Sequence, residues 1–294
     1  MNKVIITESH NIDTVNIDLM DSENIAKAIN NEDKKVALAV EKVIPEIGKA
    51  IEMAAQAILN NGRIAYFGAG TSGRLGILDA SECTPTFGVP ADMVQGFIAG
   101  GDKALRFAVE NAEDITEFAL EDLKKFSPTP NDVIIAISAS GNPAYCITAL
   151  KESRKYGCKT IAICSNPAAK MSEFADIFIN PIVGPEAITG SSRMKSGTAQ
   201  KMVLNMITTG AMIRIGKVYK NYMIDLQLNN KKLYERGIRF VCEICNISRD
   251  DAAKYIELSG NKIKTACVMA IKHCTKEEAE LLLKQNNGIL RKVI

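Results

Sequence analysis

Between Ile64 and Val183 the chain alternates short apolar runs with helical stretches, a rhythm that few folds accept. The runs "IAYF" (64–67), "MVQGFIA" (93–99), "DVIIAIS" (132–138), "TIAICS" (160–165) and "DIFINPIV" (176–183) have strand length and β-branched content. Helices are expected over Ala104–Glu113, Asp114–Lys124 and Pro143–Tyr156, with a long one over about Ser192–Lys217. Strand–helix alternation at this pitch predicts an α/β fold, a doubly wound parallel sheet with helices on both faces. Ligands of such sheets bind beyond the carboxyl ends of the strands.

The flanks read differently. An N-terminal arm leads into a long helix with Asn30 or Asn31 as its N-cap and Val36, Val40, Ile47, Ile51, Ala54 and Ile58 at helical spacing, kinked at Pro45 and closed by Gly62. Past Leu226 no strand pattern remains. "SRDDAAKYIELSGN" and "TKEEAELLLKQNNG" each open with a capping box, Ser248-x-x-Asp251 and Thr275-x-x-Glu278, and "KIKTACVMAIKH" lies between them. The expected organisation is an arm and helix over 1–61, a sheet domain over 62–225 and a three-helix C-terminal unit over 226–294.

Composition narrows the chemistry. A net charge of +2 without a basic block argues against nucleic acid and anionic membrane surfaces as partners. No apolar run reaches bilayer length and no signal-peptide core is visible, so the expected location is cytoplasmic. The eight cysteines are scattered, and Cys242-x-x-Cys245 finds no matching second pair in Cys267 and Cys274, so reduced thiols are expected and no metal site. Only two histidines exist, His10 and His273, near the two ends. Acid–base chemistry in the middle of the chain therefore falls to carboxylates, lysines or tyrosines.

The stretch "FGAGTSGR" (67–74) contains Gly68-x-Gly70-x-x-Gly73, the spacing of a dinucleotide fingerprint. That reading also needs an acidic residue at the end of the next strand. Here the next strand runs into Gly100-Gly101, and Asp92 precedes the strand rather than ending it. A second loop repeats the arrangement: "IIAIS" runs into "ASGNP", placing Ser138, Ser140, Gly141 and Asn142 between a strand and a helix, as Gly70, Thr71, Ser72 and Gly73 are placed. Small hydroxyls and free backbone N–H groups at helix starts suit phosphate oxygens, although serine and glycine also make ordinary turns. Neither loop has the Gly-Lys-Ser/Thr ending of a P-loop. A third cluster, "GPEAITGSSRMKSGTAQK" (184–201), sets Glu186, Gly190, Ser191, Ser192, Arg193 and Lys195 before the longest helix, with Glu186 a candidate sugar-hydroxyl ligand.

The stretches "GAGTSGRLGILDASECTPTFG", "ENAEDI", "ISASGNP" and "GPEAITGSSRMKSGTAQK" resemble the N-acetylmuramic acid 6-phosphate etherases of the sugar isomerase (SIS) domain group, over essentially the whole chain. The glucokinase regulatory protein is a close relative in that group. The resemblance implies removal of D-lactate from the C3 ether of N-acetylmuramic acid 6-phosphate in cell-wall amino-sugar recycling, by a homodimer without metal or nucleotide. Carried over by motif, Glu82 in "DASEC" is the acid and Glu113 in "NAEDI" the second catalytic carboxylate, here assigned as base at C2. Ser72, Ser138, Ser140 and Ser191 or Ser192 would hold phosphate and sugar hydroxyls, with either serine loop free to take either part. Lys195 or Arg193 would add charge there or serve a subunit interface. In "TESHN" (7–11), His10 stands where the family usually has arginine. Two other readings stand beside this one. Glu110, Glu113, Asp114 and Glu117 can be an exposed acidic face, and the chain can be a non-enzymatic sugar-phosphate sensor.

Overall fold

The computed structural model describes residues 6–294. Two helices precede the sheet, α1 (Ser22–Glu41) and α2 (Ile44–Leu59). The single kinked helix expected there is thus two. Asp21 caps the first, far upstream of Asn30, and Pro45 sits in the opening turn of the second, where its missing N–H has no partner to lose.

All five expected strands form: β1 (Ile64–Gly68), β2 (Val94–Ile98), β3 (Val133–Ile137), β4 (Lys159–Ile163) and β5 (Ile177–Ile179). They make one parallel sheet in the order β2-β1-β3-β4-β5. Between and after them run α3 (Gly70–Phe87), α4 (Lys103–Arg106), α5 (Thr116–Phe126), α6 (Ala144–Arg154) and α7 (Lys195–Arg214). β1 and β3 are buried along their whole length, which explains why they read as continuous apolar runs. Ala65, Phe67, Ile134 and Ala136 share a core with Ala119 and Leu123 of α5 and Tyr145 and Leu150 of α6. On the opposite face the Tyr66 hydroxyl donates to Asp79 of α3 at 2.8 Å, and Asp79 also accepts from Asn205 and Thr208 of α7.

The chain reverses direction across this sheet at β1, stepping to β2 on one side and β3 on the other. The loops after β1 and β3 therefore leave the sheet side by side at a topological switch point, where such sheets open a crevice.

One expected helix is not there. Ala104–Glu113 is only the short α4, followed by extended backbone at Phe107 and a 3-10 turn over Ala112–Asp114. Asn111, in the left-handed region at φ 57°, starts that turn, a conformation asparagine tolerates better than most residues.

The described residues fall into two compact units, one running to Ser81 and resuming over Asp92–Thr208, the other made of Glu82–Ala91 and Thr209–Ile294. The second holds a small antiparallel hairpin, β6 (Val218–Tyr219) and β7 (Tyr222–Met223), and the helices α8 (Lys231–Cys245), α9 (Arg249–Leu258), α10 (Ile263–Lys272) and α11 (Lys276–Gln285). The C-terminal helices number four rather than three. Asn230 caps α8 by accepting from Leu233 N–H, and Gly237 lets Leu228 lie against the helix. Ile238, Val241, Ile256, Val268 and Leu283 form this unit's core. Both expected N-caps are present, the Thr275–Glu278 box in both its halves.

Candidate active site

The glycine spacing after β1 has a packing explanation. α3 starts two residues beyond the strand and is pressed onto it, so that a Cβ on Gly73 would lie 2.6 Å from both the Gly68 carbonyl oxygen and Ile98 Cγ1. Gly68 faces the same contact from the strand side. These two glycines serve a close backbone approach, and no carboxylate ends β2 to receive a ribose.

The second loop is held by its own side chains. Ser138 is buried and its Oγ accepts from Gly141 N–H at 3.0 Å, while Ser140 Oγ accepts from Asn142 N–H at 3.3 Å. Gly141 has φ +72° and a Cβ there would stand 2.2 Å from the Ala169 methyl, so no other residue fits without displacing the loop.

Gly70, Thr71 and Ser72 of the first loop and Ser138 and Ser140 of the second line a cavity of about 320 Å3, with Gly190 and Ser192 of the third cluster and Glu113 completing its wall. Most of its polar groups are hydroxyls, and α3 begins at its edge, where the first N–H groups of a helix lack intrahelical partners, a set suited to an anion's oxygens. Thr7 and Glu8 of the N-terminal arm also line it. Nothing local marks those two residues. They arrive because the arm is stitched down further along, by Asn11 Nδ2 donating to Pro185 O and Thr14 Oγ1 donating to Ala187 O at 2.7 Å. His10 in the same arm is exposed and is not on the wall.

Glu113 also lines a second cavity of about 310 Å3 on the β2 side, and Ala69 and Gly70 are shared by both. Glu113 reaches solvent, yet partial burial first and the neighbouring Asp114 charge second push its carboxyl above the ordinary glutamate range.

Several expected ligands are engaged elsewhere. Glu186 is fully buried, and its carboxylate accepts from Lys195 N–H at 2.8 Å, Ser196 N–H at 2.9 Å and Ser196 Oγ at 2.8 Å. It caps the N-terminus of α7 and is not on the wall of either cavity. Lys195 is 1% exposed and ion-paired with Glu32 of α1, which also receives Lys35. Its charge is spent holding α1 to the start of α7. Gly73, Gly141, Asn142 and Ser191 shape the loops without reaching the wall, Asn142 accepting from Lys170 N–H. Arg193 is exposed. Glu82, about three turns along α3 from Gly70, is exposed, belongs to the second unit, and is on neither wall.

Comparisons with known proteins agree with the fold. Residues 46–154 match the family model of the glucokinase regulatory protein N-terminal SIS domain, residues 110–210 that of the SIS domain, and residues 220–262 that of the C-terminal lid domain of glucokinase regulatory protein. Among solved structures, a phosphoheptose isomerase from Neisseria gonorrhoeae superposes with a TM-score of 0.50 at 19% identity, over 64% of this chain and 97% of that one. A putative phosphosugar isomerase from Bacteroides fragilis does so at 0.50 and 20%, over 65% and 91%. Sequence relatives are far nearer. An N-acetylmuramic acid 6-phosphate etherase of Glaesserella parasuis is 49% identical over 284 residues, 97% of this chain and 93% of the relative. One of Clostridium acetobutylicum is 49% identical over 290 residues, 99% and 96% of the two chains. With identity at this level from end to end, the chain belongs to the N-acetylmuramic acid 6-phosphate etherase family.

Proposed function

We propose that this protein is a carbon–oxygen lyase that cleaves the D-lactyl ether of N-acetylmuramic acid 6-phosphate, giving N-acetylglucosamine 6-phosphate and D-lactate. The observation that carries the reading is Glu113, its carboxyl held above the ordinary range, on the wall common to a hydroxyl-lined cavity and a second, adjoining one. An ether resists direct attack because an alkoxide leaves poorly. Opening of the sugar ring exposes an aldehyde at C1 that acidifies the C2 proton. Glu113 removes that proton, the C3–O bond breaks, and the departing lactyl oxygen takes a proton from an acid. Water then adds across the unsaturated aldehyde, hydroxyl to C3 and proton to C2. Two carboxyls in opposite protonation states suffice for these transfers.

Phosphate rests on the N–H groups at the start of α3 and on the hydroxyls of Ser72, Ser138, Ser140 and Ser192. The acid is Glu82. Glu82 is exposed and so open to a second copy of the chain, which supplies it in a homodimer. A sugar phosphate does not cross membranes unaided, which puts the reaction in the cytoplasm. The one other reading is a sensor that binds a sugar phosphate without cleaving it; the matches to glucokinase regulatory protein models are compatible with it, and end-to-end identity to etherases favours cleavage.

Lactate release separates the two. Purified protein given N-acetylmuramic acid 6-phosphate in deuterated buffer releases D-lactate and incorporates deuterium at C2. Glu113→Gln abolishes both, by a factor of about 10²–10⁴. Glu82→Ala stops lactate release and leaves C2 exchange. Binding without lactate release would establish the sensor, and the reverse pattern in the two variants would exchange their roles.

A further inference from the structure

The cavity on the β2 side of Glu113 is unlike its neighbour. Ala99, Ala104, Ala108 and Val109 set methyl groups into a wall that is otherwise mostly polar, and one cation lies on it, Arg74. Among the described residues Arg74 is the only lysine or arginine on the wall of either cavity. It lies in the first turns of α3, half-buried, and is pinned by two backbone acceptors: Nε donates to Leu105 O at 3.0 Å and Nη2 to Ala104 O at 2.7 Å. Those bonds use two of the five N–H groups of a guanidinium. No ion pair among the described residues engages it.

A fixed, half-buried arginine with donors to spare, set among methyl groups, suits a short ligand with a carboxylate at one end and a methyl beside it. We propose that this cavity is the lactyl subsite, with Arg74 as the residue that recognises the lactyl carboxylate. The inference rests on the etherase reading and deepens it. With the sugar in the hydroxyl-lined cavity and the lactyl group in this one, the C2–C3 bond and the ether oxygen fall where the cavities meet, at Glu113. The remaining charges on the wall, Glu110, Glu113 and Asp114, come from the 107–114 segment and oppose an anion at short range. A net acidic rim also means that attraction of the carboxylate depends on direct contact with Arg74 rather than on a diffuse field.

The test compares N-acetylmuramic acid 6-phosphate with its lactyl carboxamide, which keeps the size and loses the charge. Wild-type protein favours the acid in kcat/KM by about 10–100-fold, the range of hydrogen bonds to a charged group. Arg74→Gln lowers kcat/KM for the acid by a similar factor and brings the two substrates to parity, and Arg74→Lys recovers part of the preference. Deuterium exchange at C2 of N-acetylglucosamine 6-phosphate, which has no lactyl group, stays near the wild-type rate in both variants. Equal rates on acid and amide in the wild type overturn the proposal whatever the variants do. So does a loss of product exchange in Arg74→Gln as large as its loss of ether cleavage, which would reduce Arg74 to a prop for the 104–105 backbone. Absence of lactate release from either ether in the wild type would instead sink the etherase reading itself.

Discussion

The base proposed here, Glu113, works only when ionised, and its carboxyl is held above the ordinary value of 4.5 by burial and by Asp114. Activity therefore falls on the acid side as pH drops through that raised value, at a higher pH than an unperturbed glutamate would give. Asp114→Asn removes the second cause, so the acid limb of kcat/KM against pH moves to lower pH while burial keeps part of the shift. An unmoved limb would mean that another group controls it. The sign for stability is the opposite of that for catalysis. A carboxyl whose value is raised on folding favours the folded state at low pH and loses that contribution as pH rises through the raised value. Glu113→Gln is thus expected to be inactive yet no less stable than wild type at neutral pH.

Among the elements, α7 shows how much of the site is support. Its start is covered by Glu186, and Ser192, which faces the cavity, lies just before that start. Glu186→Ala strands two buried N–H groups and a hydroxyl, at about 1–3 kcal/mol for each group left without a partner. Denaturant unfolding should show a loss of that order, and unchanged stability would dismiss the capping role. The link from α1 to α7 has its own pH signature. Burial raises the Glu32 carboxyl, but hydrogen bonds from Lys195, Lys35 and Asn11 outweigh it and leave it below the usual 4.5. A depressed carboxyl stabilises the fold above its unfolded value and loses that contribution as pH falls through the folded one. Stability measured by denaturant should therefore decline below about pH 4.5, and Glu32→Gln, weaker at neutral pH, should show less of that decline.

For the whole molecule the decisive question is where Glu82 does its work. A site completed by a partner predicts complementation between two dead proteins. Mixing Glu82→Ala with Glu113→Gln under conditions that let subunits exchange gives heterodimers in which one of the two sites has both carboxyls. Roughly a quarter of wild-type activity should return if subunits pair at random in a symmetric dimer. Persistent inactivity in a mixture shown to contain heterodimers would place both carboxyls' work within one chain.

The strand positions, the parallel arrangement, the two serine loops, the N-cap at Ser248 and the capping box at Thr275 were legible because each rests on a local pattern, either side-chain periodicity or the residues a turn or cap demands. The stretch Ala104–Glu113 reads as helix because its alanines, leucine and glutamates favour one, until Phe107 turns extended and Asn111 left-handed. The split between α1 and α2 turned on whether Pro45 bends a helix or opens one, which its surroundings decide. Glu186 and Lys195 looked like ligands in a polar stretch, and only the folded chain assigns them to a helix start and to Glu32, 163 residues away. Thr7 and Glu8 reach their cavity by the same kind of long-range placement. Sequence by itself determined which segments become strands, most of the helices and the Ser/Gly-rich loops between strand and helix, since those preferences act over a few neighbouring residues. Tertiary structure decided which polar groups face open space and which are consumed inside, because burial and partnership are set by segments that meet only once the chain has folded.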